Sequence, residues 1–418
     1  MSKLNVCMVG TGEYTTGYVG GGQSTSDKKI GVIGLSMFDL RRRGKVGDIS
    51  MAGVDGTKFP AIRNHFQKNI EDVYKDLHTS FTSFPGDSEK DGNAYKTAID
   101  KLETGSAVTI FTPDTTHFPI ALYAIRHGMH VLVTKPAVQK LEHHQQLIEE
   151  ARKHKVFVFV EHHKRFDPAY SDAKGRVASL GEFSYFYAYM SQPKTQLTTF
   201  KAWAGKPDES DISYYLNSHH VDIHCWLVEG KAIPTSVTAS CSRGIANSPP
   251  YDCDENTEDV ITLMVEWQSV NDSKKCGTAV YTSSWTAPLK QGIHTGQYFH
   301  YVGSSGDIRV DQAKRGYEYS QDNSGLSWLN PFYMKYTPDG EGYFSGQHGY
   351  GYLSIETFVD ACLALKKGKT SLDKLDKSGI PTLQNTLLTT AILHAGRLSL
   401  NEKRTVKIRT TSGKLSLA

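Results

Sequence analysis

Residues 108–136 constrain the fold more than any other segment, because two short apolar runs flank one amphipathic run. Residues 108–112 are predicted as a buried strand, residues 114–125 as a helix closed by Gly128, and residues 131–133 as a second strand. Such a unit has parallel strands and a right-handed crossover, and ligands bind beyond the carboxyl ends of its strands. The residues expected around that crevice are Thr112, Pro113, Lys135 and Pro136.

A glycine-rich segment near the amino terminus supplies the matching half of a nucleotide site. Residues 5–9 form an apolar run that leads directly into Gly10 and Gly12. These glycines allow a tight turn and a close approach of the backbone to a pyrophosphate. The third glycine of the G-x-G-x-x-G pattern is absent, since Thr15 stands there and Gly17 comes two residues late. The segment nevertheless predicts dinucleotide binding.

An acidic residue after the second strand bears on the choice of cofactor. A polar, glycine-rich insertion at residues 20–27 delays this strand, which is predicted at residues 49–54 and ends in Asp55. A carboxylate there accepts hydrogen bonds from the adenosine ribose of NAD and repels the 2′-phosphate of NADP. Thr57 and Lys58 follow closely and could favour NADP instead. We therefore predict NAD or NADP as cofactor, with NAD favoured.

Several motifs in sequence order resemble one known family. They are Thr112-Pro113, His117, Ala124-Ile125, Gly128, Lys135-Pro136, Arg165-Phe166-Asp167-Pro168, His219, Asp222 and Trp226. This set resembles the signature of the glucose-fructose oxidoreductase and inositol dehydrogenase family, Gfo/Idh/MocA. The resemblance implies an α/β Rossmann domain followed by an α+β domain with an open, mainly antiparallel sheet. It also implies an NAD(P)-dependent oxidoreductase that acts on sugars, sugar derivatives or cyclic polyols.

The resemblance assigns roles to two residues and shows two departures. It implies that Lys135 hydrogen-bonds the substrate and helps to carry its proton, and that His219 is the catalytic histidine. Thr134 stands where the family has a glutamate before the lysine, and Tyr215 stands where it has an aspartate four residues before the histidine. Acid-base chemistry needs a group whose pKa is near the working pH, which histidine provides unaided and lysine provides when burial lowers its pKa. The changes at Thr134 and Tyr215 are therefore expected to alter the pKa values of the acid-base groups without abolishing the reaction.

The candidate site residues form two groups. The predicted cofactor-binding residues are Gly10, Gly12, Glu13, Tyr14, Thr15, Asp55, Thr112, Pro113, His117, Lys135 and Pro136. The predicted substrate-binding residues are Lys135, His163, Arg165, Tyr215, His219 and His220. His220 and His224 lie four residues apart, a spacing that also suits a metal. No paired cysteines or H-E-x-x-H motif accompany them, so no metal is predicted.

Composition indicates a two-domain protein. A chain of 418 residues exceeds one typical core, and we divide it into a nucleotide domain (1–166) and a substrate and oligomerisation domain (167–418). No apolar run approaches the roughly 18 residues of a membrane span. The six cysteines lack a C-x-x-C pair, which favours a reducing, cytoplasmic setting, and the net charge of +3 gives nucleic-acid binding little support.

The second domain is predicted from a series of aromatic strands after Gly181. Such strands predict an antiparallel sheet with one open face, and a second subunit is its expected cover, which predicts a homodimer or homotetramer. Helices are predicted at residues 354–366 and 382–398. Loops at residues 247–257 and 320–346 are expected to cover the active site.

Three functions remain open on the sequence. The first is hydride transfer between a sugar or polyol hydroxyl and nicotinamide, which the retention of Lys135 and His219 favours. The second is a regulator of the same fold that binds NAD(P) without catalysis, which the replacements at Thr134 and Tyr215 favour. The third is an NAD-dependent glycosidase that works by transient oxidation.

Overall fold

The computed structural model describes residues 3–24, 26, 28–204, 206–323, 325–411 and 413–418. Of the predicted insertion, Thr25 and Asp27 lie outside the described residues. The first part of the chain contains, in order, β1 (Leu4–Val9), α1 (Glu13–Thr16), β2 (Tyr18–Val19), β3 (Gly22–Gln23), α2 (Val32–Arg42), β4 (Val46–Ala52), α3 (Phe59–Phe66), β5 (Thr82–Phe84), α4 (Ala94–Asp100), β6 (Ala107–Ile110), α5 (His117–Arg126), β7 (His130–Thr134), α6 (Leu141–His154) and β8 (Val158–Glu161).

Six of these strands form a parallel sheet in the order β5-β4-β1-β6-β7-β8. This is the doubly wound order, in which the chain reverses direction across the sheet between β1 and β6. Helices cover both faces, so the central strands are almost continuously apolar and buried. The Rossmann prediction is confirmed, and its crevice opens at the carboxyl ends of β1 and β6.

The second strand ends earlier than predicted. Strand β4 spans Val46–Ala52, so Asp55 lies three residues beyond its end. The reason is pairing, because Ala52 is opposite Val9, the last residue of β1, and the ladder has no partner further on. Asp55 instead starts a short 3-10 turn at residues 56–58.

Two glycines outside the first motif explain why Thr15 is accepted in it. Gly31, with a φ of +79°, lies so close to α1 that a Cβ would be 2.4 Å from the carbonyl oxygen of Thr15. A Cβ at Gly34 would be 2.8 Å from the same oxygen. The close packing that the missing third glycine would allow is therefore supplied after the insertion, where α2 meets α1.

The second part of the chain contains the large sheet. Its elements are α7 (Pro168–Val177), β9 (Phe183–Pro193), α8 (Gln196–Trp203), α9 (Ser218–Leu227), β10 (Ala232–Ser242), β11 (Val260–Ser269), β12 (Cys276–Ala287), β13 (Gly296–Gly303), β14 (Gly306–Asp311), β15 (Glu318–Gln321), β16 (Gly325–Trp328), α10 (Tyr350–Lys366), α11 (Leu372–Asp376), α12 (Leu387–Glu402), β17 (Val406–Thr411) and β18 (Lys414–Leu417).

Eight strands form this sheet in the order β14-β13-β9-β12-β11-β10-β17-β18. The pairing is mainly antiparallel, as predicted, but β9 and β12 run parallel. Helices α9 and α12 cover one face, over a core that includes Trp267 and Tyr281. The opposite face presents Tyr185, Met264 and Tyr298, each more than a third exposed.

Helix α10 packs on the first domain. The ring of Phe358 lies 6.0 Å from that of Phe157 and 6.1 Å from that of Phe159, and Tyr352 donates a 2.6 Å hydrogen bond to Asp39. The hydrophobic core of the Rossmann sheet thus includes residues of the later chain. The division at residue 166 stays a prediction.

Two local predictions after residue 320 were wrong in their bounds. The segment 320–346 is not wholly a loop, since β16 and part of β15 lie within it. The last helix runs from Leu387 to Glu402 rather than over 382–398. No described helix is long and apolar enough to cross a membrane.

Candidate active site

Lys135 follows β7 directly and reaches from the first domain to the second. Its Nζ donates a hydrogen bond to the main-chain oxygen of Tyr215 and lies 4.2 Å from the centre of the Tyr215 ring. Burial lowers the pKa of Lys135 to about 8, and Lys28 adds to this, although the carboxylates of Asp114 and Glu161 oppose it. The ammonium group is therefore held at the domain junction, in a setting where proton exchange near neutral pH is accessible.

His219 lies on α9, one helical turn after Tyr215. The residue is 7% exposed, and its Nδ1 has no hydrogen-bond partner among the described residues. Burial brings the pKa of His219 well below its usual value, and the positive charges of Lys135 and Lys164 lower it further. The imidazole is therefore neutral, with one buried ring nitrogen still able to make a hydrogen bond.

Glu161, which sequence reasoning missed, places a carboxylate beside these groups. It ends β8 and is the register partner of Thr134 in β7. Its Oε2 lies 2.8 Å from Nδ1 of His163, and its Oε1 accepts a 3.0 Å hydrogen bond from Ser354. The ring of His163 lies 5.4 Å from the ring of His219. A carboxylate at the end of a neighbouring strand was the available signal, because ends of parallel strands meet at one edge.

Tyr14 connects the glycine-rich turn to this cluster. It stacks on Phe111 with 5.0 Å between ring centres, and its hydroxyl oxygen lies 3.4 Å from Nδ1 of His163. The hydroxyl of Tyr333 donates a 2.7 Å hydrogen bond to that of Tyr14. The predicted cofactor residue Tyr14 therefore lies against the predicted substrate residue His163.

The turn after β1 has the shape that a dinucleotide needs. Gly10 has a φ of +107°, and a Cβ there would lie 2.1 Å from the carbonyl oxygen of Phe111. At Gly12 the position that a Cβ would take has no atom within 4 Å among the described residues, which leaves room for a pyrophosphate. Glu13, next in the chain, accepts hydrogen bonds from Ser24 and Ser26 and so ties the insertion to this turn.

Asp55 lies at the expected end of the crevice and is already engaged. Its Oδ1 accepts hydrogen bonds from the backbone and hydroxyl of Thr57, and its Oδ2 lies 3.2 Å from Nζ of Lys90. Hydrogen bonding by Thr57, aided by Lys90, lowers the pKa of Asp55. The carboxylate is therefore ionised and fits the ribose hydroxyls of a dinucleotide.

His117 fastens the two loops that border the crevice. One ring nitrogen lies 2.9 Å from the main-chain oxygen of Pro136, and the other lies 2.8 Å from that of Thr112. The loop of Thr112 follows β6, and the loop of Pro136 follows β7. Pro113 precedes the short 3-10 turn at residues 114–116, which leads into α5. His117 thus fixes the spacing of the loops and is buried beneath the crevice.

Two predicted substrate residues have side chains engaged elsewhere. Arg165 makes a buried double hydrogen bond to Asp222, at 2.8 and 2.7 Å. His220 shares a 2.9 Å hydrogen bond with the hydroxyl of Tyr170 within the second core. Both contacts hold secondary structure elements together. Within the described ranges, no group of three His, Cys, Asp or Glu residues could hold a metal ion.

Residues 4–162 match the family model described as an oxidoreductase family with an NAD-binding Rossmann fold, GFO_IDH_MocA. An uncharacterized oxidoreductase of Escherichia coli K12, YdgJ, is 31% identical over 138 residues, which are 32% of this chain and 39% of the relative. The scyllo-inositol 2-dehydrogenase (NAD(+)) of Bacillus subtilis 168 is 34% identical over 85 residues, which are 20% of this chain and 25% of that protein.

The matched segments thus span well under half of these curated relatives. A solved structure extends the likeness in fold to the whole chain. The myo-inositol 2-dehydrogenase of Lactobacillus plantarum has a TM-score of 0.67 with 16% identity, over 98% of this chain and all of that one. The amino-terminal part of the chain is therefore similar to known proteins in sequence, whereas the rest of the chain is similar to them in fold.

Proposed function

We propose that this protein, whose residues 4–162 match the GFO_IDH_MocA model of NAD-binding oxidoreductases, transfers hydride between a ring hydroxyl of a cyclic polyol or sugar and nicotinamide. The observation that carries the proposal is the meeting of Lys135 and the helix turn of Tyr215 and His219 at the end of β7. Tyr14, two residues after Gly12, lies 3.4 Å from His163, whose ring is 5.4 Å from that of His219, so the turn where the cofactor is expected is connected to this junction.

The cofactor fits the residues present. The open space at Gly12 suits a pyrophosphate, and the ionised Asp55 suits the adenosine ribose. When bound, nicotinamide supplies the acceptor or donor of the hydride. We propose NAD as the preferred cofactor, because Asp55 would repel a 2′-phosphate. Lys90, beside Asp55, would moderate that preference.

Lys135 and His219 are proposed to hold the reacting oxygen. At pH 7 an ammonium group with a pKa of about 8 is mostly charged, so Lys135 can donate to the oxygen and stabilise negative charge that develops on it. Neutral His219 can share a second hydrogen bond through its ring. Together they would orient the carbon that loses hydride and take part in moving the hydroxyl proton.

A cluster of aromatic side chains beside Lys135 favours a ring-shaped substrate. The ring of Tyr215 lies 5.2 Å from that of Trp285, nearly parallel to it, and 5.8 Å from that of Trp203. Aromatic faces pack well against the C–H faces of polyol rings, while the ring hydroxyls need polar partners such as His163. Inositol dehydrogenases among the relatives and similar folds support the same substrate class.

The test is a spectrophotometric screen. The protein is incubated with NAD or NADP and with inositol stereoisomers, aldoses and uronates, and reduced nicotinamide is followed at its absorption band. We expect reduction with at least one cyclic polyol or sugar, faster with NAD than with NADP. Tight NAD binding by calorimetry without turnover of any compound would contradict the enzyme and favour the regulator. Release of free sugar from glycosides without net reduction would instead identify a glycosidase.

A further inference from the structure

The proposed oxidation releases a proton, and two groups at the junction are poor final acceptors for it. Lys135 has a pKa of about 8, so only about one molecule in ten has the neutral amine at pH 7. His219 is neutral, but burial and the charges of Lys135 and Lys164 oppose its protonation. The two positions at which the family would supply acids hold Thr134 and Tyr215. The site therefore needs a negative charge from elsewhere.

Glu161 has the position and the partners to supply that charge. It is 1% exposed and lies opposite Thr134 in the ladder between β7 and β8. Both of its carboxylate oxygens have hydrogen-bond partners, His163 at 2.8 Å and Ser354 at 3.0 Å. A buried carboxylate held this way by a hydroxyl and an imidazole stabilises positive charge on the imidazole.

The hydrogen bonds around His163 select one form of its ring. Nδ1 faces the carboxylate of Glu161 at 2.8 Å and the hydroxyl of Tyr14 at 3.4 Å. The shorter contact involves a charged acceptor and dominates, so Nδ1 carries the proton and donates it to Glu161. Nε2 then carries the free lone pair of the ring, since the hydrogen bonds of His163 to described residues are made by Nδ1.

We propose that Glu161 is the carboxylate of this site and holds His163 with its proton on Nδ1, so that Nε2 takes the proton of the reacting hydroxyl. This inference rests on the proposed function. In the step, the substrate C–H bond breaks and its electron pair leaves with the hydrogen for the nicotinamide dinucleotide, which is reduced. The O–H bond breaks, its proton binds Nε2 of His163, and the substrate carbon and oxygen form a carbonyl. His163 is thus a catalytic residue and Glu161 a positioning residue.

The groups that face His163 come from several elements. They are Tyr14 of α1, Glu161 of β8, His219 of α9, Tyr350 of α10, and Tyr333. Only Glu161 among these is a carboxylate. His162, next in the chain, is held neutral because burial lowers its pKa to about 4.

The first test needs no substrate. Nitrogen-15 NMR of the histidine-labelled protein near neutral pH distinguishes a protonated Nδ1 from a protonated Nε2, and a His163→Gln spectrum assigns the signal. We expect the Nδ1–H form in the whole protein. A His163 signal with the proton on Nε2 alone would overturn the proposal, whether or not a substrate is known.

The second test uses Glu161→Gln, with Glu149→Gln as the matched control. Glu149 is exposed on α6 and pairs with Lys414 at 2.7 Å. It has no part in the proposed binding or catalysis. We expect Glu161→Gln to lower kcat by about 10²-fold with KM nearly unchanged, since acid-base groups supply a factor of this order. The control should keep wild-type kcat and KM. Full kcat in a folded Glu161→Gln protein would overturn the proposal.

The two tests separate this inference from the proposed function. A wild-type protein that turns over no polyol or sugar contradicts the proposed function, and the proton-accepting role of His163 falls with it. The NMR result still decides whether Glu161 sets the form of His163. An active wild type with an unaffected Glu161→Gln variant contradicts only the inference.

Discussion

Buried neutral histidines set an acid limit to the stability of this protein. Burial lowers the pKa values of His130, His144 and His162 to about 4, and that of His220 to about 3. In the unfolded chain the same groups have a pKa of about 6.5. The unfolded state therefore binds more protons below that value. The stability contributed by the neutral forms is fully present above pH 6.5 and is lost as the pH falls towards 4.

The loss is large relative to the stability of a typical protein. Between pH 7 and pH 5, each of the four histidines should reduce the free energy of unfolding by about 2 kcal/mol, and all four by roughly 7 kcal/mol. Folded proteins are stable by only about 5 to 15 kcal/mol. Asp114 and Asp211 oppose the trend, because burial raises the pKa values of both carboxyl groups. We therefore expect marked destabilisation at pH 5.

Urea unfolding followed by circular dichroism at pH 7, 6 and 5 measures this effect. The slope of the unfolding free energy against pH gives the protons taken up on unfolding, and we expect these four histidines to contribute about three to four near pH 5.5. A His144→Gln variant is the matched control. The His144 ring nitrogens lie 2.7 Å from Thr390 Oγ1 and from the main-chain oxygen of Leu383. The variant should be less stable at pH 7 but have a slope smaller by about one proton. A wild-type slope below one proton would refute the reasoning.

Three further predictions concern the proposed site and assembly. Asp55→Ala should weaken NAD binding by about tenfold or more in calorimetry and narrow the preference over NADP, and unchanged affinities would show that this carboxylate does not meet the ribose. Lys135→Ala and His219→Ala should each lower turnover by roughly 10²-fold with NAD affinity retained, whereas a fully active Lys135→Ala protein would exclude the lysine. Light scattering should find a dimer or tetramer that Met264→Glu, on the open sheet face, converts to smaller species. A wild-type monomer at micromolar concentration would contradict this interface.

Local patterns were enough to predict the framework of the nucleotide domain. The strand before Gly10 and the strand before Lys135 are short apolar runs bounded by glycine or proline, and such runs are specified by their own residues. Once both strands are placed, the rule that parallel strands end at one edge brings Gly10 near Lys135. The same reasoning placed Asp55 in the crevice but extended its strand, because the end of β4 is set by its neighbour β1.

Features that depend on distant partners could not be predicted in this way. Glu161 ends an apolar strand, and its significance comes from His163 and from Ser354, which lies 193 positions away. Thr15 departs from the glycine motif, and the close helix packing is instead allowed by Gly31, which follows the insertion. In each case the important contact joins residues that are far apart in the sequence, and such contacts leave no local sequence pattern.

The packing of α10 has a consequence for how the chain becomes a folded protein during synthesis. Phe157 and Phe159 emerge from the ribosome early, but Phe358, which packs against both rings, follows only after strands β9 to β14. At the usual 5 to 20 residues per second, the apolar side of β8 waits many seconds for its cover. The apolar side of β8 therefore stays exposed to solvent during synthesis until α10 covers it.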